Sequence, residues 1–182
     1  MRTLDNLVWK AMQGTLWLCN LAYKVEVYGL KSVDKDRAAV FAVKHSSNLD
    51  LPVIMRTLPR RVTILATKSI FTNPVTNYSL TVAGVVPINS PTDTKPKQNG
   101  IAATAFREFY TTLRRKGWVA YAPEATRILG KVGEQIYPEL LIKAAELGHN
   151  TYLVGIRYRN CQYPSLSWLR LAWQSGIEVR IE

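Results

Sequence analysis

Two short segments carry residue types that could do chemistry together. Lys44-His45-Ser46-Ser47-Asn48-Leu49-Asp50 sets a histidine five positions before an aspartate, directly after an apolar run. Ala122-Pro123-Glu124-Ala125-Thr126-Arg127 sets an acid, a hydroxyl and a guanidinium after another apolar run. An unperturbed imidazole titrates at about pH 6.5 and so can take a proton from a hydroxyl near neutrality. A carboxylate on one ring nitrogen fixes the tautomer, leaves the other nitrogen as base and stabilises the imidazolium. A guanidinium offers a planar fork that matches phosphate oxygens. The two segments thus read as a base with its orienting acid and an anion clamp. Taken singly, His45 also fits a loop histidine, and Asp50 a first-turn helix charge favoured by the macrodipole. Ser46 and Ser47 raise a nucleophile alternative, but they suit helix capping or loop hydrogen bonding better.

Regular elements must hold these residues in place. Short apolar runs predict strands at Tyr23–Tyr28, Ala38–Val43, Val62–Ala66, Val85–Ile88, Trp118–Tyr121, Thr151–Arg157 and Ile177–Ile181. Several are apolar throughout, as in strands covered on both faces. Helical spacing predicts a helix over Asn48–Leu58, with Pro52 close to its start where proline is tolerated. A second is predicted over Asn99–Lys116, with Ile101, Ala105, Phe106, Phe109 and Leu113 in register and Gly117 as its stop. A third is predicted over Glu139–Leu147, ending at Gly148, while Ser90–Gly100 is a loop by composition. Alternation of this kind predicts a single α/β domain, with a largely parallel or mixed sheet flanked by helices. In that frame His45 lies just beyond a strand's C-terminal end, where ligand sites of α/β sheets form. Asp50 follows in the first helical turn and can reach back.

Composition limits the partners. The chain has 182 residues, of which 47% are hydrophobic, enough for one domain with a sizeable core. The net charge of +11 calls for something anionic: nucleic acid, an anionic membrane face or a phosphorylated substrate. No RNA-binding signature is present, so a basic nucleic-acid-binding module is only the rival reading and no nucleic acid is expected. Cys19 and Cys161 form no C-x-x-C pair and read as buried thiols in a reducing compartment. No metal-ligand cluster and no glycine-rich nucleotide loop appears, so neither a metal nor a bound cofactor is expected. No cleavable signal is convincing, because Asp5, Lys10 and Gln13 interrupt the first apolar stretch. A helix is predicted from Leu4 to Tyr23, with Leu7, Val8, Met12, Trp17, Leu18 and Leu21 on an apolar side. Its apolar runs are too short to span a bilayer. It reads either as a core helix or as an amphipathic helix lying in the membrane interface, with Trp9 and Trp17 as anchors. Residues 1–23 are therefore set apart as a candidate membrane anchor, and 24–182 as the chemical domain.

His45 to Asp50 resembles the H-x-x-x-x-D block of the glycerolipid acyltransferases, typified by 1-acylglycerol-3-phosphate acyltransferase, and Ser47 matches a serine often found there. Ala122 to Arg127 resembles that family's F-P-E-G-T-R block. Lys68 and Gly84-Val85-Val86-Pro87-Ile88 resemble its intervening block, and Thr151 to Ile156 its last. The likeness runs from about residue 23 to residue 182 and rests chiefly on the two-motif combination. It implies an α/β acyltransferase domain in phospholipid synthesis. The acyl donor would be acyl-CoA or acyl-carrier protein, a co-substrate. The acceptor would be the hydroxyl of a lyso-glycerolipid, foremost 1-acylglycerol-3-phosphate. The protein would sit peripherally on the cytoplasmic face of an anionic membrane. The resemblance makes His45 and Asp50 catalytic, and puts Glu124, Thr126, Arg127, Ser47 and Lys68 on the substrate side. The chain also departs from the pattern. Ile88-Asn89-Ser90 stands where the family usually has an acceptor-binding arginine. Ala122 and Ala125 replace the block's Phe and Gly, Gly155 a proline, and Lys44 a frequent asparagine. Other lyso-lipid acceptors therefore stay open, with Lys68, Lys95 and Lys97 as alternative sources of charge, and so does an acyltransferase-like fold without activity.

Overall fold

The computed structural model describes residues 7–12, 14, 24–45, 47, 49–88, 99–124, 136, 138–158 and 176–182. Among them, seven strands form one sheet: β1 (Lys24–Tyr28), β2 (Ala39–Val43), β3 (Val62–Thr67), β4 (Val85–Ile88), β5 (Trp118–Tyr121), β6 (Asn150–Tyr158) and β7 (Gly176–Ile181). The spatial order is β1-β7-β6-β2-β5-β3-β4. Neighbours run parallel except β6 and β7, so the sheet is mixed. Among the described residues the helices are α1, of which residues 7–12 and 14 are described, then α2 (Asp50–Thr57), α3 (Pro74–Ala83), α4 (Asn99–Arg114) and α5 (Glu139–Glu146).

Every residue of β2 is buried, because helices cover both faces of this central strand. Side chains alternate along it, which divides the core in two. On one face Ala39, Phe41 and Val43 join Trp118, Ala120, Val154, Ile156 and Val179 beneath Val53, Ile54 and Met55 of α2. Phe41 is fully buried there, stacked on Tyr152 at 5.3 Å and edge-on to Trp118 at 5.2 Å between ring centroids. On the other face Val40, Leu65 and Val119 meet Ala105, Phe109 and Leu113 of α4 and Leu140 and Ala144 of α5. At the sheet's edge Gly29 has φ +78°, and a Cβ there would lie 1.9 Å from the Ile181 carbonyl oxygen, so only glycine fits.

All seven predicted strands form, each within one residue of its expected ends. The three predicted helices form as well, slightly shorter than expected. Helix α3 is absent from the sequence reading. Its segment lacks apolar periodicity, but its ends carry ordinary signals. The Asn73 side chain accepts from the Thr76 N–H at 2.9 Å, proline opens the helix, and Gly84 at φ +88° closes it. Trp9 and Met12 of α1 pack against the first core face, and the Arg61 guanidinium lies 5.5 Å from the Trp9 ring centroid. Residues 15–23 of the predicted N-terminal helix, Cys19, Cys161 and most of the 90–100 loop lie outside the described residues. Among the described residues no helix is long and apolar enough to cross a membrane.

Candidate functional site

Strand pairing brings the two sequence motifs to one edge of the sheet. Ala42 of β2 stands opposite Tyr121 of β5, and Val43 opposite Val154 of β6, all in parallel. The segments that leave these strands therefore emerge side by side. His45 and Glu124 each lie three residues past the Ala42–Tyr121 pair. The Lys44 N–H donates to the Val154 carbonyl at 2.9 Å and carries the β2–β6 ladder up to the motif.

Helix α2 supplies the acid. Its inward stripe is Asp50, Val53, Ile54 and Thr57, the spacing of one helical face. Val53 and Ile54 anchor the stripe on the sheet, and Asp50 ends it beside the strand termini. Asp50 is only 4% exposed. A tight turn leads into it: the Asp50 N–H donates to the Ser47 carbonyl at 3.2 Å, and the Leu49 N–H to Ser47 Oγ at 3.1 Å. Asp50 Oδ2 lies 2.8 Å from His45 Nδ1 and accepts the Ser47 N–H at 2.9 Å. Asp50 Oδ1 accepts the Tyr158 phenol at 2.5 Å. An ionised carboxylate can only accept, so Nδ1 carries the imidazole proton and Nε2 carries the lone pair. The His45 side chain is 30% exposed, so solvent or a substrate can reach it. The arrangement can take a proton from a hydroxyl and hold the resulting imidazolium.

Lys44 and Glu124 join the two motifs directly. Lys44 Nζ donates to both carboxylate oxygens of Glu124, at 2.8 and 2.9 Å. Glu124 is 5% exposed and the Lys44 side chain 29%. A buried carboxylate is costly without a cation, and the fork supplies one. It also ties the ends of β2 and β5 together next to His45. Tyr121, the last residue of β5, packs into the opposite core face, and burial pushes its phenol above its ordinary value.

The structure brings His45, Asp50 and Ser47 into one hydrogen-bonded turn and places Glu124 beside it through Lys44. Ser47 is buried, and its described contacts lie within the turn. Lys68 stands exposed in the short 3-10 turn that follows β3, at the same edge of the sheet. Thr126, Arg127, Lys95 and Lys97 lie outside the described residues. Two site residues escaped the sequence reading of roles. Lys44 stood out only as a departure from a family block, and Tyr158 fell one residue past a predicted strand. Among the described residues no three His, Cys, Asp or Glu side chains gather as a metal site would.

Comparison with known proteins adds three findings. The family model described as Acyltransferase matches residues 24–158. Among solved structures, the chain is similar to the 1-acyl-sn-glycerophosphate (LPA) acyltransferase PlsC from Thermotoga maritima, with a TM-score of 0.63 and 16% sequence identity. That similarity covers 100% of this chain and 72% of the other, and at this identity it speaks for the fold. Comparison with curated protein sequences finds no match.

Proposed function

Because the chain belongs to the acyltransferase family, we propose that it moves a fatty acyl group from an acyl thioester to the hydroxyl of a lyso-glycerolipid. The donor is acyl-CoA or an acyl-carrier protein. The observation that carries this reading is Asp50 Oδ2 at 2.8 Å from His45 Nδ1. His45 Nε2 takes the acceptor's hydroxyl proton, and the oxygen attacks the thioester carbonyl carbon. The carbon–sulfur bond then breaks, and the imidazolium returns its proton to the leaving thiolate. His45 ends neutral, as it began. Asp50 balances the charge on the imidazolium between the two steps. Both substrates are bound together, because the base acts on the acceptor itself and no acyl-enzyme is required.

The favoured acceptor is 1-acylglycerol-3-phosphate. A phosphate calls for cations, and Arg127 of the second motif and Lys68 after β3 are the groups assigned to it. The solved structure with the similar fold is a 1-acyl-sn-glycerophosphate acyltransferase, which supports the same substrate class. Glu124 serves the site through Lys44, which it holds beside His45. The net charge of +11 supports peripheral attachment to the anionic cytoplasmic face of a membrane, each basic residue near the surface contributing about 1 kcal/mol.

The test is thiol release from acyl-CoA and from acyl-carrier protein, with lyso-lipid acceptors that carry or lack a terminal phosphate monoester. Acceptors are presented in phosphatidylglycerol or phosphatidylcholine vesicles. The expected result is fastest turnover with 1-acylglycerol-3-phosphate on phosphatidylglycerol. Absence of acceptor-dependent thiol release across the whole panel would contradict acyl transfer. Equal rates on both vesicle types would contradict the electrostatic attachment.

A further inference from the structure

Tyr158 belongs to neither motif, yet its phenol reaches the site's acid. It is the last residue of β6 and shares a strand face with Tyr152, Val154 and Ile156. That face lies under α2, so the end of β6 passes beside Asp50 at the start of that helix. The Tyr158 hydroxyl donates to Asp50 Oδ1 at 2.5 Å. The other carboxylate oxygen, Oδ2, already serves His45 Nδ1 and the Ser47 N–H. A carboxylate gripped at one oxygen can still swing about its terminal torsion, which is broad and soft. A donor on the second oxygen sets the plane of the group, and with it the direction in which Oδ2 presents itself to the imidazole.

We propose that Tyr158 is a positioning residue: its phenol fixes the Asp50 carboxylate so that His45 is held as the Nδ1–H tautomer with Nε2 as the base. This role rests on the acyl-transfer reading above. Tyr158 acts through Asp50 and does not contact the reacting atoms. Its bond to an ionised acceptor is of the stronger, charge-assisted kind. The ring also packs against the first core face, so removing the hydroxyl alone separates orientation from packing. Tyr158→Phe makes that cut.

The chain's two histidines allow the effect to be read directly. His149 immediately precedes β6, about 30 Å along the strand from Tyr158 at strand rise, and serves as an internal reference. Imidazole ¹⁵N shifts are recorded on histidine-labelled full-length protein, at a pH where the rings are neutral. Wild-type His45 is expected to show the Nδ1–H tautomer alone. Tyr158→Phe is expected to show a mixture of tautomers at His45 and unchanged His149 signals. Acyl transfer by the same protein is expected to lose about tenfold in kcat, with the acceptor KM within about twofold, the split that marks a loss confined to the transition state. The double variant Tyr158→Phe/Asp50→Asn should be no slower than Asp50→Asn alone, because the phenol works through that carboxylate. Unchanged His45 shifts in folded Tyr158→Phe protein would overturn the proposal whatever the rate does, and so would additive losses in the double variant. If neither wild type nor variant transfers an acyl group while the His45 tautomer still responds, acyl transfer fails and the positioning role stands.

Discussion

Asp50 accepts from His45, Ser47 and Tyr158 while lying 4% exposed, so the turn and the end of β6 both hold the carboxylate that faces the imidazole. The neighbouring ion pair has a different duty. Lys44→Met would remove a hydrogen-bonded cation from the buried Glu124 carboxylate, and the expected cost is about 2 kcal/mol in urea unfolding, less than for a fully buried pair because the Lys44 side chain is partly exposed. Lys44→Met/Glu124→Gln should recover about 1 kcal/mol of the summed single losses. Strict additivity in that cycle would show that the pair carries no coupling. The reach of the sequence follows from these contacts. His45 and Asp50 lie five residues apart across one strand-to-helix turn, and local spacing was enough to pair them. Glu124 lies 80 residues from Lys44, and Tyr158 lies 108 from Asp50, so both contacts depend on which strands become neighbours. No local pattern encodes that.

At the level of elements, strands were legible because their apolar runs are short, continuous and separated by turn residues, as burial on both faces requires. Helix α3 was not legible from periodicity, since only Val82 and Ala83 of its ten residues are buried. Its definition rests on its ends. Asn73→Ala removes the side-chain cap and should cost about 1 kcal/mol, read as a lower urea midpoint with unchanged slope. An unchanged midpoint would mean that packing of Leu80 and Ala83 on the first core face holds the helix without its cap. Helix α2 shows the reverse case, where one stripe gives both burial and chemistry. Val53 and Ile54 seat the helix, and the same geometry delivers Asp50 to the strand ends.

For the whole molecule, strand order does what neither motif does alone. With β2 between β5 and β6, three strands end at one edge, and the residues just beyond them meet. The first motif follows β2, the second follows β5, and Tyr158 closes β6. An α/β domain could be read from the alternation of patterns, whereas the β1-β7-β6-β2-β5-β3-β4 order could not, because parallel partners are set by crossovers and not by adjacent turns. The net charge of +11 is the whole-molecule feature on which the proposed attachment to an anionic membrane surface rests. The central claim is that His45 is the base of an acyl transfer. Its most direct test is acceptor-dependent thiol release by purified His45→Ala protein, beside wild type, with the urea midpoint confirming the fold. Turnover is expected to fall by about 10³-fold or more with the fold retained, and turnover near the wild-type rate would contradict the claim.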